Sequence, residues 1–125
     1  MNPAFAYKFS TAIGTMALAW REDRIVSLHL PERTEGALLE SLRRKLKDPT
    51  LRWTKDAPAF AREVAEAIAL HLAGKPQRFT LKHFEMERFA PFFRKMYEKA
   101  ARIPAGTVVS YAKLAEAAGS PKASR

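Results

Sequence analysis

Residues 7–30 read YKFSTAIGTMALAWREDRIVSLHL, and this stretch determines the expected fold of the first part of the chain. Two reversals interrupt its apolar residues, one at Ile13-Gly14 and one at the charged residues 21–24 (REDR). Short apolar runs that are separated by such turn sequences are typical of antiparallel strands. The pattern therefore predicts a β-meander with strands at 7–9, 15–20 and 25–30.

Two amphipathic helices are predicted after the meander. Thr34 can cap the first helix, and Pro49 ends it. We expect Asp56 to cap the second helix, and Gly74 followed by Pro76 to end it. Apolar residues recur at helical spacing in both segments: Leu38, Leu39, Leu42 and Leu46, then Ala57, Phe60, Ala61, Val64, Ala65, Ile68 and Leu72.

The pattern becomes purely helical from about residue 85, after a short strand candidate at 78–81. Phe89, Phe92, Phe93, Met96, Tyr97 and Ala100 lie at helical spacing. We interpret this aromatic face as part of a core rather than as a platform for stacking bases. The sequence thus predicts an α+β domain over residues 1–85 and a helical segment over residues 86–125.

Composition excludes several classes of protein. The chain has 125 residues, of which 47% are hydrophobic and none is cysteine. These residues therefore form no disulfide scaffold, no thiolate metal site and no cysteine nucleophile. We expect no metal site, because the histidines His29, His71 and His83 lack metal-ligand spacing. No apolar run approaches 18 residues, so no membrane span is predicted.

The charge distribution points to a polyanionic partner. The formal net charge is +9, and residues 94–125 contribute seven basic residues against two acidic ones. More than half of the excess positive charge thus lies in the last quarter of the chain. A basic region of this kind is typical of nucleic-acid binding, with a solvated basic surface as the alternative.

Residues 103–125 read IPAGTVVSYAKLAEAAGSPKASR. They predict a short helix from Ser110 to Ala118, a turn at Gly119 and the start of a second helix at Pro121. This is a helix-turn-helix pattern with basic residues available for DNA contacts. An ordinary corner between two core helices would give a similar pattern.

The string IPxGxxxSYxxLAxxxGxPxAxR within these residues resembles the DNA-binding segment of the O6-alkylguanine-DNA alkyltransferase family. The similarity continues more loosely upstream, where residues 5–30 resemble the family's amino-terminal hairpin and residues 71–81 resemble its YFxGxxxxFxLPL stretch. Two departures occur: residues 89–93 replace the family's Gly-Thr-x-Phe-Gln, and Tyr97 replaces a common tryptophan. The matching residues are Ile103, Pro104, Gly106, Ser110, Tyr111, Leu114, Ala115, Gly119, Pro121, Ala123 and Arg125.

The resemblance implies a fold and an activity. The fold is α+β, with a ribonuclease H-like amino-terminal domain followed by a helical, winged-helix-like DNA-binding segment that is incomplete at its carboxy terminus. The activity is DNA repair, in which a modified guanine is flipped out of the duplex and a thiolate takes the alkyl group from O6. Neither a metal nor an organic cofactor is implied.

The resemblance also implies roles for individual residues. Tyr111 matches the tyrosine that pushes on the target's 3′ phosphate and lines the pocket. Arg125 matches the arginine that fills the space left by the flipped base. The implied DNA-binding residues are Ser110, Tyr111, Lys122, Ala123 and Arg125. Alternatively, Tyr111 is a helix-packing aromatic and Arg125 a frayed terminal charge.

The family's Pro-Cys-His-Arg motif would lie beyond residue 125, so we expect no catalytic acceptor within this chain and no activity from it alone. The expected partner is double-stranded DNA that contains O6-alkylguanine. We expect a monomer, with a separate carboxy-terminal partner chain as the alternative, and a cytoplasmic (nucleoid) or nuclear location. Two other functions stay open: a non-catalytic relative that binds alkylated DNA, and a helix-turn-helix transcriptional regulator.

Overall fold

The computed structural model of the protein describes residues 3–75 and 89–100. Within them, a three-stranded antiparallel sheet precedes three helices, which confirms an α+β architecture. None of these helices is long and apolar enough to cross a membrane. The elements are β1 Ala4–Thr11, β2 Gly14–Arg21, β3 Arg24–His29, α1 Glu35–Leu46, α2 Ala59–Leu72 and α3 Ala90–Ala100.

The predicted β-meander is confirmed, with strand order β1-β2-β3. The first turn is closed by Thr11, whose hydroxyl donates to the carbonyl of Gly14 at 2.7 Å and accepts from the amide of Ile13 at 3.2 Å. Gly14 has φ +123°, and a Cβ there would lie 3.0 Å from the Cβ of Pro31. This turn requires glycine for both reasons, since other residues rarely adopt that φ and would collide with Pro31.

Strand β2 is buried on both faces. Its large apolar residues Met16, Leu18 and Trp20 pack with α2 and α3 in one hydrophobic cluster. Ala17, between them, belongs to a second cluster, which includes Leu38 and Leu42 of α1. Because successive side chains of a strand point to opposite faces, β2 separates two cores with large residues on one side and a small one on the other.

Helix α1 begins and ends largely as predicted. The Thr34 hydroxyl accepts a hydrogen bond from the amide of Ala37 at 3.0 Å, as expected for an N-cap. The helix ends before Pro49, where Lys47 adopts a left-handed conformation with φ 53°. Three basic residues, Arg43, Arg44 and Lys45, lie in its last turn, where the helix dipole favours positive charge.

The predicted cap of the second helix was wrong. Helix α2 begins at Ala59 with Pro58 at the cap position, and no side chain caps it. Asp56 lies three residues before the first residue of α2, and its amide donates to the hydroxyl of Thr54 at 3.2 Å. The reason is Pro58, because a proline disfavours helical conformation in the residue before it and so delays the start of the helix.

Helix α3 packs against the larger core, which confirms the interpretation of its aromatic face. Phe93, Met96 and Tyr97 are completely buried. The Tyr97 hydroxyl lies 3.4 Å from Nε2 of His71, which is also completely buried in the last turn of α2. Apolar packing and this polar contact together fix α3 onto the rest of the fold.

Glu32 connects the end of β3 to helix α1. Its carboxylate lies 2.6 Å from Nε2 of His29. A hydrogen bond from the Ser41 hydroxyl is the main reason that the pKa of Glu32 lies below its ordinary value, followed by the contact with His29. The link therefore depends on an ionised Glu32.

Phe93→Ala is expected to lower the free energy of unfolding by about 3–5 kcal/mol, because it empties a fully buried aromatic site. Phe5→Ala serves as the control, since Phe5 is 44% exposed, and its expected loss is about 1 kcal/mol. Urea unfolding monitored by circular dichroism measures both. Equal losses in the two variants would show that α3 does not belong to the core.

Glu32→Gln is expected to flatten the acid side of the stability profile. Because the folded-state pKa of Glu32 lies below 4.5, its ordinary value, its contribution to stability is complete above that pH. The contribution is lost as the pH falls through the folded-state pKa. Urea unfolding from neutral to acidic pH should show a shallower decline for Glu32→Gln than for the wild type. The exposed control Glu63→Gln should decline with the wild-type slope.

Candidate nucleic-acid interface

Helix α3 is amphipathic, with one apolar side and one charged side. Phe93, Met96, Tyr97 and Ala100 are buried, whereas the side opposite them is charged. The four charged residues of α3 are exposed: Arg94, Lys95, Glu98 and Lys99. Arg94 and Glu98 are four residues apart, as are Lys95 and Lys99, so the four side chains form two adjacent rows of one broad stripe with an excess of basic groups. We call this stripe the basic face of α3.

The basic face is held in place by the packing beneath it. The Tyr97 ring lies 5.9 Å from the His71 ring and 6.1 Å from the Phe93 ring, measured between centroids. Phe92 meets Phe93 edge to face at 5.4 Å. The Tyr97–His71 contact joins α3 to α2, and together with the burial of Phe93 and Met96 it restricts rotation of the helix about its axis, whereas the Phe93 ring contacts lie within α3. The exposed orientation of Arg94, Lys95 and Lys99 is therefore a consequence of the core.

A cavity of about 300 Å³ lies beside this helix, where the end of β3, the last turn of α1 and the first turns of α3 meet. We call it the α1–α3 groove. Its walls combine apolar side chains with four ionisable ones. The lining residues are Leu28, His29, Leu30, Pro31, Glu32, Lys45, Pro91, Phe92 and Lys95.

Two lysines, Lys45 and Lys95, line the groove. The ammonium group of Lys45 donates to the carbonyl of Leu28 at 3.3 Å. Burial lowers the pKa of Lys45 below its ordinary value, and the nearby positive charge of Lys95 lowers it further. The groove thus holds two ammonium groups close enough to repel each other.

The DNA-binding residues predicted from the sequence, Ser110, Tyr111, Lys122, Ala123 and Arg125, lie outside the described residues. So do His83 and the strand candidate at residues 78–81. Among residues 3–75 and 89–100, no three His, Cys, Asp or Glu side chains form a group that could hold a metal ion.

Sequence reasoning missed the groove. In the sequence, Lys45 follows Arg43 and Arg44 near the end of a predicted helix, and Lys95 is one of the seven basic residues within 94–125. The two lysines are fifty positions apart, and no periodicity connects them. Only the packing of α1 and α3 beside the same strand brings them together.

Comparisons with known proteins match the part of the chain that begins in α3. The family model "6-O-methylguanine DNA methyltransferase, DNA binding domain" matches residues 91–125, which begin within α3. No solved structure matches the chain.

A curated relative matches over most of the chain. The constitutive methylated-DNA–protein-cysteine methyltransferase of Bacillus subtilis (strain 168) is 31% identical over 115 residues. That alignment covers 92% of this chain and 64% of the relative. The chain therefore spans somewhat less than two thirds of the relative's length, and none of its 125 residues is cysteine. The chain is thus similar to this methyltransferase along most of its own length, and its last 35 residues match the DNA-binding domain model of the same family of proteins.

Proposed function

We propose that the chain takes part in DNA repair by direct reversal of O6-alkylguanine, and that it supplies the DNA-binding part of the reaction. The observation that carries the proposal is the DNA-binding match over residues 91–125, whose first helix presents a fixed basic face. The alkyl acceptor would be a cysteine that these 125 residues do not contain. The proposed arrangement is a ribonuclease H-like domain over residues 1–85 and a winged-helix-like segment over residues 86–125.

In the proposed mechanism, the basic face and the helix-turn-helix residues bind the phosphate backbone and fix the register of the duplex. Ser110, Lys122 and Ala123 contact the DNA near the lesion. Tyr111 pushes on the target's 3′ phosphate, and the guanidinium of Arg125 fills the stack after the modified guanine has rotated out. Unstacking the base costs a few kcal/mol, which the inserted side chain and the backbone contacts offset.

The alkyl transfer itself requires a thiolate. Its sulfur forms a bond to the alkyl carbon while the bond between that carbon and O6 breaks, and N1 of the restored guanine, which stays in the DNA, takes up a proton. The sulfur stays alkylated, so each acceptor reacts once. This step is assigned to a cysteine outside the 125 residues.

The absence of cysteine favours a second candidate function. A non-catalytic relative that binds alkylated DNA needs the recognition residues but no acceptor sulfur. Such a protein would prefer a duplex that contains O6-methylguanine over the same duplex with guanine. A helix-turn-helix regulator would instead prefer a particular sequence and ignore the lesion.

The full chain is expected to take no label from DNA that carries an isotopically labelled O6-methyl group, because it has no thiol. The Bacillus subtilis relative is the positive control in the same assay, read by scintillation counting of the protein. Stoichiometric label on this chain would contradict the assignment of the acceptor to a cysteine outside it. Transfer restored by adding a cysteine-bearing polypeptide from the same cells would favour the repair function over the non-catalytic one.

Arg125→Ala is expected to weaken binding to an O6-methylguanine duplex about tenfold, equivalent to ~1.4 kcal/mol, because nothing then fills the vacated stack. Arg33→Ala removes the same charge from an exposed position ahead of α1, and it should change the affinity less than twofold. Fluorescence anisotropy with matched modified and unmodified duplexes measures both. If Arg125→Ala lost affinity equally for both duplexes, Arg125 would be a general phosphate contact, and its role in filling the stack would be contradicted.

A further inference from the structure

We propose that the α1–α3 groove binds a phosphodiester group of duplex DNA between Lys45 and Lys95. This inference rests on the proposed function, and it adds a DNA contact from the part of the chain that precedes the matched DNA-binding domain.

The geometry of the groove supplies the donors for such a group. Lys45 comes from the last turn of α1 and Lys95 from α3, and both line the same cavity of about 300 Å³. An ammonium group carries three N–H donors. One donor of Lys45 is used on the carbonyl of Leu28 at 3.3 Å. This contact orients the ammonium group and leaves two donors for a ligand.

Neither lysine of the groove is paired with a carboxylate among the residues that the structure describes, although the ionised Glu32 also lines the groove. Within residues 3–75 and 89–100, neither Lys45 nor Lys95 forms an ion pair with a carboxylate. Glu32, the one acidic residue among those lining the groove, is engaged by Ser41 and His29.

An anion between the two lysines would relieve their repulsion. The proximity of Lys95 contributes to the lowered pKa of Lys45, which reports the cost of holding two like charges together. A bound phosphate reverses that effect, since it favours the charged form of both amines. The amine of Lys45 should therefore titrate at higher pH when DNA is bound.

Two features favour the DNA backbone over a free anion. The groove adjoins the basic face of α3, where Arg94 and Lys99 can contact neighbouring phosphates. Its walls also include apolar side chains, such as Leu30 and Phe92, that can pack against a deoxyribose. A sugar–phosphate chain uses both the basic and the apolar parts of this surface.

The test is the salt dependence of duplex binding by the full chain. For the double variant K45Q/K95Q, the slope of log K against log salt should decrease in magnitude by about 1, the value for one lost phosphate contact. K55Q/R62Q is the matched control, because it removes two positive charges at exposed positions that do not line the groove. The control should keep the wild-type slope. Fluorescence anisotropy between roughly 50 and 200 mM salt gives both slopes.

The outcomes separate the two proposals. A wild-type chain that binds no duplex at all overturns the proposed function and, with it, this inference. A chain that binds DNA while K45Q/K95Q and K55Q/R62Q show equal slopes overturns the inference alone. If the double variant unfolds, K95Q alone is compared with the wild type, because Lys95 is exposed on α3 and its substitution leaves the core intact.

Inorganic phosphate distinguishes the source of the anion. Titration of the wild type and K45Q/K95Q, followed by NMR of the lysine side-chain amines, measures its binding. Saturable phosphate binding that the variant loses, together with an unchanged DNA slope, would assign the groove to a free anion and overturn the proposal. An upward shift of the Lys45 titration on adding duplex supports it.

Discussion

The rest of the structure depends on β2 being buried on both faces. Met16, Leu18 and Trp20 fill the side that faces α2 and α3, and Ala17 leaves room for α1 on the other side. The pairing register of β2 is therefore strongly restricted, because a slip of one residue would exchange its large and small residues between the two cores. The meander, the position of α1 and the docking of α3 all follow from this one alternation.

The same core determines where the positive charge lies. Phe93 and Tyr97 are buried against the sheet side of the molecule, so Arg94 and Lys99 must point outward. The first helix of the DNA-binding match is thus anchored by residues of β2 and α2, which precede it in the chain.

Local chemistry was predictable from the sequence, and long-range proximity was not. The meander, the Thr34 cap and the aromatic face of α3 follow from turn residues, a side-chain hydroxyl and helical periodicity, which act over a few positions. The prediction that Asp56 caps α2 was wrong because the preference of aspartate for cap positions was outweighed by the restriction that Pro58 places on the residue before it. The pairing of His71 with Tyr97 and of Lys45 with Lys95 depends on how whole elements pack, which no local pattern records.

The first turn of the meander has a consequence far from itself. Gly14 lies against Pro31, and Pro31 forms part of the wall of the α1–α3 groove. Any side chain at position 14 would have to push that proline by a few tenths of an ångström, and the wall would move with it. The shape of the groove is therefore set in part by a hydrogen atom, the one that glycine carries where every other residue carries a carbon.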